Sequence, residues 1–226
     1  ALADEKMLPD VALLNTVFLN GLPAKVVADT GMDVLTHSIE AYVSTNANSF
    51  SSSFAMKSIK LIFENLVAHS NDRKIQGPKE NVQFASCLAG IAFDNSSLGI
   101  NHSIAHTVGA KFHIAHGRAN AIIMPYVIEV NTEANRKYFE ISRELGLPSD
   151  TIEEGKYSLL SFVRILKEKL AVEKSLKDYG VDFEAFKREI PSMLEDIKKD
   201  ICTQYNPNKL TDEEYIRLLL KIYFGE

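Results

Sequence analysis

Apolar residues recur along most of this chain at the three-to-four-residue spacing of an amphipathic helix, and the alternation of a half-buried strand is almost absent. The exception is the opening, Lys6-Met-Leu-Pro-Asp-Val-Ala-Leu-Leu14, which reads as a strand with its lead-in. Pro23 at a first-turn position starts a short helix, Gly31 punctuates it, and a longer helix carries Asp33 and His37 to about Thr45. After a polar turn at Asn46-Ala-Asn-Ser49, a helix is expected from about Ser51 to Ala68, with Phe54, Ile59, Leu61, Ile62, Phe63 and Leu66 on its apolar face. His69 to Pro78 reads as a solvated loop. Asn81 to about Phe93 is apolar on most sides, which predicts a central, buried helix ended by Asn95-Ser-Ser.

The next helix carries His102 and His106, and its small residues Ser103, Ala105, Gly109 and Ala110 would let a neighbouring backbone or ligand approach closely. His116-Gly117 forms a junction before an apolar helix from Ala119 to Val130. From Thr132 onward the chain becomes charged and amphipathic, with helices predicted at Glu133 to Leu145, at Ile152 to Leu170, and from Phe183 to Ile201 across Pro191. A capping box, Thr211-Asp-Glu-Glu214, opens a last helix ending near Phe224. The pattern predicts an all-α fold whose second half is scaffold more than site, the Lys/Glu run from Glu184 to Lys199 being a solvated face.

Composition narrows the function classes. The 226 residues are 46% hydrophobic, enough to bury a substantial core. Thirty acidic residues outweigh twenty-five basic ones and no basic face accompanies aromatic residues, which argues against a nucleic-acid partner. No apolar run approaches the roughly 18 residues needed to cross a bilayer, and a soluble, cytoplasmic protein is expected. Cys87 and Cys202 are not spaced as a metal or redox pair and read as free thiols. Because the chain opens without an initiator methionine inside an apparent strand, it reads as part of something longer. Its eleven glycines are never closer than eight residues apart, so no glycine-rich loop to cradle phosphates is present.

Five of the six histidines fall in two short segments, Asp33-Val-Leu-Thr-His37 and His102-Ser-Ile-Ala-His106 continued by His113 and His116. Polar residues at i and i+4 emerge from one helix face a turn apart, and the apolar neighbours Val34, Leu35, Ile39, Ile104 and Val108 make an unsatisfied polar group costly. Asp33, His37, His102 and His116 would offer a cation one oxygen and three nitrogens, a set that suits Zn²⁺ or Fe²⁺ better than Mg²⁺ or Ca²⁺. His106, one turn beyond His102, is then placed for proton relay rather than ligation. His113 reads as a residue behind the ligands, a substrate-side residue or a loop histidine. A helical metal-dependent phosphohydrolase, with Lys111 and Arg118 as the nearby cations, and a non-catalytic helical assembly module are the alternative readings.

At these residues the chain resembles the iron-dependent, or group III, alcohol dehydrogenases, specifically their helical carboxyl-terminal domain. Ala3-Asp-Glu-Lys-Met-Leu-Pro-Asp-Val-Ala12 is similar to the last strand region of that family's cofactor domain. Pro23 through Tyr42 resembles its first metal-binding signature, and Asn101-His-Ser-Ile-Ala-His-Thr-Val-Gly109 through His113-Ile-Ala-His-Gly-Arg-Ala-Asn-Ala121 the second. The resemblance implies the helical-bundle domain of the dehydroquinate synthase-like fold, with residues 1–16 a remnant of the cofactor domain and linker and 17–226 the metal-binding domain. It further implies Asp33, His37, His102 and His116 as ligands of Fe²⁺, with Zn²⁺ an alternative, and His106 beside the nicotinamide of NAD or NADP. That nicotinamide would be held mainly by an amino-terminal domain lying outside this chain. The expected substrates are primary alcohols and aldehydes, and the expected full-length enzyme is a homo-oligomer without membrane or nucleic-acid partners; this piece alone should be inactive. Ala115 before His116 and Thr107 after His106 depart from the family's commoner residues without removing a ligand.

Overall fold

A computed structural model describes residues 9–226. Among them are ten α-helices, joined by short turns, and no strand: α1 (Ala24–Val43), α2 (Ser49–Asn71), α3 (Gln76–Asp94), α4 (Ile100–Phe112), α5 (His116–Val130), α6 (Asn135–Glu144), α7 (Ile152–Lys169), α8 (Leu176–Tyr179), α9 (Phe183–Lys199) and α10 (Asp212–Phe224). Residues 9–14 lie outside any helix or strand, and the rest of the expected opening strand lies outside the described residues.

Side-chain caps mark where the helices begin. Asn48 accepts from the backbone of Ser51 and Ser51 reciprocates to start α2, and Thr211 with Glu214 does the same for α10, as the sequence predicts. Thr151 and Asp182 cap α7 and α9 by the same chemistry, each satisfying an N–H that has no partner within its helix.

The bundle is organised around α1, which packs on α2, α3 and α5, while α4 is held between α5 and α9, and α5 meets α7 and α10. Met32, Leu35, Ile59, Ile62, Leu66, Ile104, Ile122, Ile123, Val163, Phe186 and Ile222 are completely enclosed at these contacts. Each such burial contributes roughly 1.5–3 kcal/mol relative to exposure, which is why the amphipathic pattern decides the fold.

Three sequence expectations are corrected. Residues 24–43 form one helix, and Gly31 lies inside it as a packing contact: a Cβ there would stand 2.1 Å from Cδ1 of the enclosed Leu66 on α2. The loop expected from His69 to Pro78 is shorter, because α2 runs on to Asn71 and α3 already begins at Gln76, with Pro78 in a first turn that needs no N–H from it. His69 therefore sits on α2 only 2% exposed, not in a polar loop.

His69 has an acid-stability consequence. Burial, reinforced by the positive charges of Lys79 and Arg73, holds its pKa below the ordinary 6.5, and Nδ1 has no hydrogen-bond partner among the described residues. Below about pH 6.5 the unfolded chain binds a proton that the folded chain resists, so this histidine's contribution to stability is present above that pH and lost as pH falls. His69→Leu should shrink the loss of urea-unfolding stability measured between about pH 7.5 and pH 5.5. An unchanged loss would remove His69 from the acid response.

Candidate metal centre

Three helices bring the sequence-predicted cluster together. Asp33 and His37 project from consecutive turns of α1, His102 from the first turn of α4, and His116 is the first residue of α5. One ligand atom from each of the four lies within 4.8 Å of the other three. Oδ1 of Asp33 is 3.7 Å from Nε2 of His102 and 3.5 Å from Nε2 of His116, and Oδ2 is 4.0 Å from Nδ1 of His37. These spacings are too long for hydrogen bonds. They lie slightly above the roughly 3.3 Å that separates donors sharing a tetrahedral cation at bond lengths of about 2.0–2.1 Å.

The donor chemistry fits as well. Nε2 of His102 is buried with no hydrogen-bond partner among the described residues, an arrangement that costs free energy unless something else meets its lone pair. Burial, with the neighbouring His102, pushes the His37 pKa down to about 4, and burial pushes that of His102 to about 3, Asp33 opposing both. Both imidazoles are therefore neutral near pH 7, the form a metal requires. His37 is further held by stacking between Phe93 and His102, with ring centroids at 4.7 and 4.5 Å.

Sequence reasoning missed three residues that fix this geometry. Oε2 of Glu40 lies 2.5 Å from Nδ1 of His102, and its Oε1 accepts from the Asn101 N–H at 2.8 Å. Glu40 is fully buried, which pushes its pKa up to about 7 against the opposing pull of those backbone donors. A carboxylate at Nδ1 turns Nε2 of His102 outward as the free donor, the orientation in which histidine ligands are usually held. The signal was available: Asp33, His37 and Glu40 are i, i+4 and i+7 on one face. Asn120, one turn after His116, gives its amide N–H groups to Oδ1 of Asp33 at 2.7 Å and Nε2 of His116 at 3.1 Å, while its own oxygen accepts from Asn101. Asp200, just past α9, meets Nδ1 of His106 at 2.7 Å, so the second half of the chain is not scaffold alone.

The remaining candidates fall outside the four-donor group. His106 stacks on His116 with centroids 5.3 Å apart and is 44% exposed, at the rim of the cluster. His113 is the exposed residue that ends α4 in a left-handed conformation, φ 55°, and is not one of the group of four. Lys111 is paired with Glu189 and Asp196, and Arg118 with Asp29 and Glu173, so neither cation is offered to a phosphate.

With that geometry in place, comparison with known proteins gives the class. The description "Fe-containing alcohol dehydrogenase family, C-terminal" matches residues 27–223. The chain belongs to this family. It is 40% identical over 226 residues to an NADPH-dependent butanol dehydrogenase of Clostridium saccharobutylicum, covering 99% of this chain and 58% of that protein. It is 35% identical to the bifunctional aldehyde-alcohol dehydrogenase of Escherichia coli, covering 27% of that longer protein. The structure of an iron-containing alcohol dehydrogenase from Thermococcus thioreducens superposes with a TM-score of 0.91 at 34% identity, over all of this chain and 57% of that one. The chain thus spans little more than half the length of its single-function relatives.

Two outcomes test the site. His102→Ala should sharply reduce Zn²⁺ or Fe²⁺ retained after dialysis, measured by elemental analysis, and should abolish the rise in melting temperature that metal gives the wild type; unchanged retention would remove His102 from the ligand set. Gly117→Ala should cost more than about 2 kcal/mol in chemical unfolding, because its Cβ would stand 2.3 Å from the Asp29 carbonyl oxygen, in backbone that cannot swing aside.

Proposed function

We propose that this chain is the metal- and substrate-binding part of a nicotinamide-dependent alcohol dehydrogenase that interconverts primary alcohols and aldehydes. The observation that carries the reading is the convergence of Asp33, His37, His102 and His116 from three helices, in a member of the iron-containing alcohol dehydrogenase family. Those four residues are proposed to hold Fe²⁺, with Zn²⁺ the alternative for the same three-nitrogen, one-oxygen set. When bound, the cation supplies Lewis acidity toward the alcohol or aldehyde oxygen.

The chain's own residues do the rest. Glu40 keeps the His102 proton on Nδ1, so that Nε2 stays a donor. Asn120 steadies Asp33 by donating to its Oδ1. His106, at the exposed rim, is proposed to take the hydroxyl proton on Nε2 during alcohol oxidation and release it to water, returning it during aldehyde reduction. A bound nicotinamide would supply the hydride donor and acceptor, so no side chain of this chain is asked to carry it.

Likeness to the butanol dehydrogenase supports a short aliphatic alcohol and NADP, with NAD as the alternative. We assign most of the dinucleotide contact to an amino-terminal domain of the full-length protein, with residues 1–16 as the end of that domain and its linker and 17–226 as the metal-binding domain. The absence of a glycine-rich phosphate loop from the sequence supports this division. Among the described residues no helix is long and apolar enough to cross a membrane, and a cytoplasmic homo-oligomer is the proposed setting.

The test uses the full-length protein loaded anaerobically with Fe²⁺, following NADPH consumption with butanal as substrate. Turnover is expected, and His106→Gln should keep the metal while lowering kcat by about 10²-fold or more. Loaded protein that turns over no aldehyde or alcohol with either dinucleotide would overturn the reading.

A further inference from the structure

We propose that Asp200 is a positioning residue for His106: it holds the imidazole as the Nδ1–H tautomer, leaving Nε2 as the one ring nitrogen able to exchange a proton with substrate. The inference rests on the reading of His106 as the proton carrier and adds the residue that makes it competent.

The geometry is that of a preorganised carboxylate. Oδ2 of Asp200 is 2.7 Å from Nδ1 of His106. Its other oxygen is already committed, accepting from the Cys202 backbone N–H at 2.9 Å and from the Ser103 hydroxyl at 3.2 Å. Ser103 is itself fixed by the Thr203 hydroxyl, 2.8 Å away. Asp200 therefore cannot rotate to offer His106 a different face without leaving two donors unpaired. Ser103 and His106 belong to α4, whereas Asp200, Cys202 and Thr203 follow α9, so the contact also ties the end of α9 to the helix that carries His102.

A neutral imidazole has one N–H and one lone pair, and whichever nitrogen donates determines which one accepts. An ionised carboxylate only accepts, so the proton is drawn to Nδ1 and Nε2 is left bare. An asparagine in the same place can present its amide N–H instead and stabilise the opposite tautomer, with the proton on the wrong nitrogen for catalysis.

The primary experiment reads the tautomer directly, by nitrogen-15 NMR of the histidine side chains in the metal-free protein near pH 8. His106 is expected to show a protonated, pyrrole-type Nδ1 and a bare, pyridine-type Nε2, and Asp200→Asn should reverse or mix the two. A wild-type His106 with its proton on Nε2 would overturn the proposal, and that measurement needs no variant to fold. In the full-length Fe²⁺ enzyme, Asp200→Asn should lower kcat by about 10²-fold or more with KM little changed, and Asp200→Glu should restore part of the loss. A variant that loses KM and metal together, with the tautomer intact, would show a merely structural role and overturn the proposal. A reversed tautomer with kcat unchanged would instead leave Asp200 as the positioning residue and overturn the proton-carrying role of His106.

Discussion

The close approach of α1 and α5 is the constraint on which the rest of the site depends. Gly117 lets the first turn of α5 lie directly against the α1 backbone at Asp29, and a Cβ there would also come within 3.3 Å of Asp33. Beside this contact the buried Arg118 places Nε 2.6 Å from Asp29 and its NH1 on Glu173 and the Ala171 carbonyl. Burial raises the pKa of Asp29 against the pull of Arg118, the mark of a pair whose charges were costly to enclose. Such a pair adds little net stability, yet removing one partner costs about 3–5 kcal/mol. Its value here is geometric, because Asp29 and Arg118 are each within one turn of a proposed ligand, Asp33 and His116.

Charge explains why so many titratable groups tolerate this position. Glu40 and Asp33 bring two carboxylates to the site, and the pKa of Glu40 rises because burial strips water from its charged form, against the pull of the backbone N–H groups that donate to it. The imidazoles move the opposite way, resisting protonation for the same reason of burial. A divalent cation among the four donors would answer both strains at once, matching two negative charges and using the neutral imidazoles as they stand.

The residues that were legible in the sequence are those whose partners lie on the same helix. Spacing of four along α1 and α4 exposed Asp33 with His37 and His102 with His106, and the apolar periodicity placed α2, α5, α6, α7, α9 and α10 to within about three residues. Where the reading failed, the determining partner was distant in sequence. Gly31 read as a break because its reason, the Leu66 side chain, sits on another helix. His69 read as solvated because polar residues follow it, although α2 carries it into the core before they begin. Glu40 shared the α1 face and was readable in principle, whereas Asp200 lies 94 residues from His106 and carried no local signal.

The site is graded from floor to rim, and α4 alone produces much of that gradient. His102 in its first turn is 1% exposed, while His106 in the next is 44% exposed. The two rings lie one helical turn apart, 5.9 Å between centroids, which on the proposed roles sets the ligand nitrogen of His102 beside the proton-carrying nitrogen of His106. Two carboxylates from elsewhere in the fold enforce the division: Glu40 at the floor faces Nδ1 of His102, and Asp200 at the rim faces Nδ1 of His106. The same contact therefore fits both proposed roles, directing one lone pair toward a cation and the other toward a proton, with burial separating the two.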